Sequence, residues 1–184
     1  YYKLQTEDDL SPSSIANGFT AQFPPITIDS GDTLNIVLNE NYSTYYGENF
    51  VPDIIMYGSE VTSMLQTEQG SIGFSADKIS DASELIILFK WDGNGDNLIE
   101  DIDYFLWGLY QQGIDKTGIP DYQNDTPEEY QLYFEEEATP YHAYSRIGIN
   151  EIDEIEFGGN GITGHDETSE NFRDSWAINK LWIF

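Results

Sequence analysis

The chain contains no cysteine, which removes disulfide staples and every thiolate-based metal or redox site at once. Bases are nearly as scarce. Seven Lys and Arg face 34 Asp and Glu, for a formal net charge of −27 at pH 7. A surface of that sign repels nucleic-acid phosphates and anionic headgroups, so nucleic acid is not an expected partner. Apolar runs are short. None reaches the roughly 20 residues a membrane span needs, and no span is expected. With only two histidines and no thiol, the chain cannot supply the three or four nitrogen or sulfur donors a zinc site takes. The amino end, YYKLQTEDD, shows no secretory signal and no Met, and reads as cut from a longer protein.

What is present is aromatic and β-forming. The 184 residues include 13 Tyr, 10 Phe, 4 Trp and 16 Gly, and 39% of the chain is hydrophobic. That content separates it from a disordered acidic tail. Length and composition point to one mostly-β domain over residues 1–184.

One stretch poses a choice of its own. KWDGNGDNLIEDIDYFLWG, Lys90 to Gly108, carries Asp92, Asn94 and Asp96 at positions 1, 3 and 5 of a twelve-residue calcium loop. Ile99 falls at position 8 and Asp103 at position 12. Position 6 is Asn97 where the loop wants glycine, and position 12 is the shorter acid. The flanks favour a hairpin. ELIILFKW is a continuous apolar run, the pattern of a strand buried on both faces, and LIEDIDYFLW returns it. The expectation is a β-hairpin with strands over 84–91 and 98–107. A weak calcium site on its tip would use the side chains of Asp92, Asn94 and Asp96 and the carbonyl of Leu98.

Elsewhere, turn chemistry marks Gly31-Asp32, and VPDIIMYGS and YSRIGI read as strands. One helix is expected over 127–136. Asp125 or Thr126 would cap it, Pro127 would open it, and Tyr130, Tyr133 and Phe134 would form its buried stripe.

The most enzyme-like text is GHDETSE, with His165, Asp166, Glu167, Ser169 and Glu170 close together. Hydrolytic triads assemble from distant positions, however, and no G-x-S-x-G elbow occurs. The structural reading has the Asp, Thr and Ser side chains bonding to nearby backbone in a Gly-flanked loop. A calcium site of Asp166, Glu167 and Glu170 is a second reading. A metal-dependent hydrolytic site around His165, Asp166 and Glu167 is a third. His142 has no ligand-like spacing to His165. Arg146 is expected to pair with a carboxylate or to lay its stem under an aromatic ring. Tyr42, Tyr45 and Tyr46 are candidates for a sugar-stacking platform or for folding back onto the core.

In combination, LIILFKWDGNGDNLIEDIDYFLWG, GIDKTGI, YSRIGI and GGNGITGHDETSENF resemble the bacterial branch of the lamin tail domain family, from about Ile26 to about Trp176. The resemblance implies an immunoglobulin-like β-sandwich. It also implies a non-catalytic binding or structural module in a secreted or surface-attached bacterial protein, beside a hydrolase or anchoring domain. The partner would be a protein or a glycan, and a carbohydrate-binding module is the other non-catalytic alternative. The family's opening strand would precede Tyr1, so the sandwich is expected to lack an N-terminal edge strand and to self-associate through the exposed edge. AINKLWIF stands where the family carries a Pro- and Gly-rich linker, which leaves 177–184 as an open boundary.

Overall fold

A computed structural model describes residues 2–4, 19–59, 61–73, 79–91, 100–109, 111, 113–114, 125–148, 150 and 154–181. Within them the protein is mostly β. A five-stranded antiparallel sheet is built from β1 (Tyr2–Leu4), β2 (Thr20–Gln22), β5 (Leu65–Gln66), β6 (Glu84–Lys90) and β7 (Glu100–Trp107), in the order β5-β2-β1-β6-β7. β3 (Ile36–Val37) and β4 (Ile54–Ile55) form a parallel pair. β8 (His142–Arg146) and β9 (Trp176–Lys180) form an antiparallel one. Two short helices, α1 (Tyr42–Tyr46) and α2 (Phe172–Ser175), complete the elements used below.

The hairpin expected over 84–91 and 98–107 is present as β6 and β7. Its cross-strand partners show why the apolar run is continuous. Leu85 lies opposite Leu106 and Ile87 opposite Tyr104, while Ile86 lies opposite Phe105. Side chains alternate between faces along a strand, so these pairs load both sides of the sheet. Leu85, Ile87, Phe89, Tyr104, Phe105, Leu106 and Trp107 are all buried, in one cluster with Ile114, Phe134 and Phe172. A second cluster gathers Phe19, Ala21, Ile54, Met56, Met64 and Ile72, and Ile79 and Ile86 pack against both. Each large side chain removed from water in this way contributes roughly 1.5–3 kcal/mol.

Phe105 is the hub of the first cluster. Its ring stacks on Trp176 at 4.1 Å and on Trp107 at 5.4 Å, and meets Phe172 edge-on at 5.5 Å and Tyr144 at 5.1 Å. These contacts seat β8 and β9 over the Phe105 side of the hairpin. Of the open boundary 177–184, residues 177–180 belong to the paired strand β9. The last three residues, 182–184, lie outside the described set, as does the hairpin tip 92–99.

One expectation is corrected. The helix over 127–136 does not form. A single 3-10 turn occupies Glu128–Tyr130, with Pro127 and Gln131 extended on either side (ψ 143° and 133°). Tertiary bonds win here over local propensity. Gln131 Nε2 donates to Ile114 O at 2.7 Å and to Thr126 O at 3.0 Å, and its Oε1 accepts from Tyr104 Oη at 2.7 Å. Phe134 N donates to Leu106 O, and Gly108 N donates to Phe134 O, both at 2.9 Å. An extended segment satisfies the backbone of β7, which a helix would leave bare. Of the expected apolar stripe, Phe134 is buried and Tyr130 is exposed.

The N-terminal strand β1 is an inner strand, and the edges are β5 and β7. The outer edge of β7 is in use. Besides the Phe134 bonds, Asp101 O accepts from Ile162 N at 2.8 Å, and Tyr104 N donates to the Asp103 side chain at 2.9 Å. A bulge between these positions, where the register shifts at Leu88/Phe89, twists the strand further.

Candidate functional site

The GHDETSE segment folds into a bonded knot. Asp166 caps the 3-10 turn Glu167–Ser169. Its Oδ1 accepts from Thr168 N at 3.1 Å and from Thr168 Oγ1, and its Oδ2 accepts from Thr126 Oγ1 at 2.8 Å. Ser169 Oγ donates to Asp166 O at 2.6 Å and accepts from Ile155 N at 2.8 Å. The bonds within Asp166–Ser169 are of the local kind expected from the residue types, while those from Thr126 and Ile155 tie in distant segments. They draw the preceding GGNG loop close. A Cβ at Gly159 would stand 2.2 Å from His165 O, and one at Gly161 would stand 2.7 Å from it.

His165 is turned away from Asp166. Its Nδ1 lies 3.3 Å from Glu154 Oε2. Glu170 goes elsewhere again, accepting from Arg146 Nη1 at 3.1 Å. Arg146 thus behaves as the sequence leads one to expect. It bridges Glu170 and Asp103, and its guanidinium lies 5.1 Å from the centroid of the Trp176 ring. Asp166, Glu167 and Glu170 are buried but turned to different tasks. Among the described residues, no group of three or more His, Asp or Glu side chains is placed to hold a metal ion. Asp92, Asn94, Asp96 and Leu98 lie outside the described residues.

The concave surface is formed by other residues. One cavity of about 640 Å³ opens between the β6–β7 hairpin and β8–β9. Its walls include Phe105, Trp107, Tyr144 and Trp176, with Asp81 and His142 also lining it. Tyr144 Oη accepts from Ala138 N and donates to Glu136 O, each at 3.0 Å. Burial, aided by the carboxylates of Glu137 and Asp81, raises the phenol's pKa above its ordinary value, so it stays neutral. A second cavity of about 500 Å³ lies beside α1, walled by Tyr42, Tyr45, Tyr46 and Tyr141. Tyr46 lines both.

No family model matches this chain, and neither a curated protein nor a solved structure does. Among the described residues, no helix is long and apolar enough to cross a membrane.

Neither cavity is lined by His165, Asp166 or Glu167. The three tyrosines singled out in the sequence are brought together on one helical turn. Sequence reasoning missed Tyr141, Trp176 and the cavity between the hairpins. The available signal was the aromatic content of TPYHAY and DSW, but nothing local says that those segments meet across β7.

Proposed function

We propose that this domain is a non-catalytic binding or structural module of the lamin tail type, an immunoglobulin-like sandwich carried by a secreted or surface-attached bacterial protein. The observation that carries the reading is a division of labour. The side chains best suited to chemistry, in GHDETSE, are engaged in holding the 154–170 loop together. The concave surface is instead walled by aromatic rings, the residues that bind through area and a polar tip. The layering of β8–β9 over the hairpin supports the sandwich, because it sets a second strand pair against the Phe105 face of the sheet.

The rival is a hydrolytic domain centred on His165, Asp166 and Glu167. The two are separated by incubating the protein with glycoside, ester, phosphoester and peptide reporter substrates, with and without millimolar calcium. The expected result is no turnover above that of the heat-denatured sample. Turnover that disappears in His165→Ala would overturn the module reading.

A further inference from the structure

The cleft beside α1 departs from the rest of the surface in charge. In a chain with 34 acids and a net charge of −27, its lining holds no charged side chain at all. Lacking carboxylates, it offers a cation no counter-charge, and the field of the whole protein opposes an anion. The ligand it suits is neutral.

The walls are prepared in advance. Tyr42 and Tyr46 lie one helical turn apart, on one side of α1, and Phe50 meets both, at 6.1 Å and 5.0 Å between ring centroids. Holding the rings before binding lowers the entropy cost of using them. Tyr45 and Tyr141 are each 67% exposed, leaving two large apolar faces in water. Tyr141 also has φ 66°, and it is the one non-glycine residue with positive φ among those described. That conformation costs about 1–2 kcal/mol. The turn before β8, closed by His142 N donating to Thr139 O at 3.0 Å, imposes it and holds Tyr141 at the cleft.

We propose that this cleft binds a neutral saccharide chain, which rests on the binding-module reading and names its ligand class. A pyranose ring offers a face of C–H groups to an aromatic ring and hydroxyls at its rim. Four tyrosines and Asn39 match both, with ring faces for the first and hydroxyl or amide groups for the second. The volume of about 500 Å³ lies in the range of small-molecule sites. Tyr46 marks where this cleft gives way to its neighbour. That arrangement suits successive rings better than the single extended groove a proline-rich peptide requires.

The test is calorimetric titration with neutral tetra- to hexasaccharides of the gluco-, manno-, xylo- and chito- series, with polygalacturonate as the anionic comparison. The protein is compared with Tyr45→Ala, Tyr141→Ala and Phe157→Ala, the last altering a side chain 80% exposed and outside the cleft. At least one neutral series is expected to bind at up to millimolar concentration and polygalacturonate not to bind. Affinity should fall by about tenfold or more in each tyrosine variant and stay unchanged in Phe157→Ala. If Tyr141→Ala melts below the assay temperature, Tyr45→Ala decides. Absence of binding by every neutral series, or unchanged affinity in Tyr45→Ala, overturns the proposal. So does tighter binding of polygalacturonate. A proline-rich peptide that binds with the same tyrosine dependence while no saccharide does overturns the saccharide and leaves the module reading standing. Cleavage of a saccharide, lost in His165→Ala, overturns the module reading itself.

Discussion

Arg146 donates through Nη2 to Asp103 Oδ1 at 2.6 Å, and its other terminal nitrogen reaches Glu170, whose side chain is 1% exposed. Removing the guanidinium leaves a buried carboxylate without its cation. Arg146→Ala is expected to cost about 3 kcal/mol in urea unfolding. Arg173→Ala breaks a pair with Glu135 in which both side chains are mostly exposed, and should cost under about 1 kcal/mol. Equal effects of the two changes would show that burial does not set the worth of the Arg146 bridge.

The Gly159 position is a matter of space. A methyl there would meet His165 O at 2.2 Å and Asp166 Cα at 2.4 Å, both backbone atoms that cannot step aside cheaply. Gly159→Ala should destabilise by roughly 1–3 kcal/mol. At Gly148 the nearest atom to an added Cβ is Asn150 N at 4.0 Å, so Gly148→Ala is expected to be neutral or stabilising by about 0.4–1 kcal/mol. Paired thermal melts read the contrast directly.

Glu84 gives a pH dependence with a definite sign. It is 8% exposed, and desolvation by burial raises its pKa, opposed in part by the backbone N–H groups of Ser80 and Leu85. A folded-state pKa above the unfolded one means that the fold holds this proton more tightly. Its contribution is complete below the unfolded pKa and is lost as pH rises through the folded value. Glu84→Gln mimics the protonated form. Its melting temperature should exceed that of the parent at pH 7, and the gap should close on acidification to about pH 4. A gap that widens on acidification would reverse the sign.

Calcium is expected to act at the hairpin tip only as a modest stabiliser. Asp92, Asn94, Asp96 and the Leu98 carbonyl would supply about four of the six to eight oxygens the ion takes. Sites of that kind bind at roughly 10⁻⁴ to 10⁻³ M. At ten times the dissociation constant, the gain is about 1.4 kcal/mol. Melts in chelator and in millimolar calcium measure it. Unfolding in chelator, or loss of the fold in Asp96→Ala, would make the loop a structural metal site.

The parts of this fold legible in the sequence are those whose cause is local. ELIILFKW and LIEDIDYFLW carry their own period and turn residues, and they pair as expected over Glu84–Lys90 and Glu100–Trp107. The knot at Asp166 was legible for the same reason, since Asp, Thr and Ser bond within a few residues of themselves. The segment 127–136 was misread because the deciding partners are distant. Gln131 answers to Tyr104 and Ile114, and Phe134 to the edge of β7, while Pro127 and its acids announce a helix. Tyr141 was missed because its positive φ belongs to the turn that starts β8, where His142 N bonds to Thr139 O at 3.0 Å. Its place in the cleft depends on α1, far off along the chain.

The position of Phe105 between Trp107 and Trp176 bears on how the chain reaches this state. Trp107 is near in sequence, but Trp176 lies far along the chain, so the aromatic stack cannot close until the segment that carries it has been made. β1 likewise stays unpaired on its β6 side until that distant strand emerges. Loop-closure entropy must be met before either contact gives anything back. A chain wired in this way folds in roughly milliseconds to seconds, with its largest rings exposed meanwhile. Over that interval the charge of −27 keeps nascent copies apart, a service to the unfolded protein that no contact in the folded one reveals.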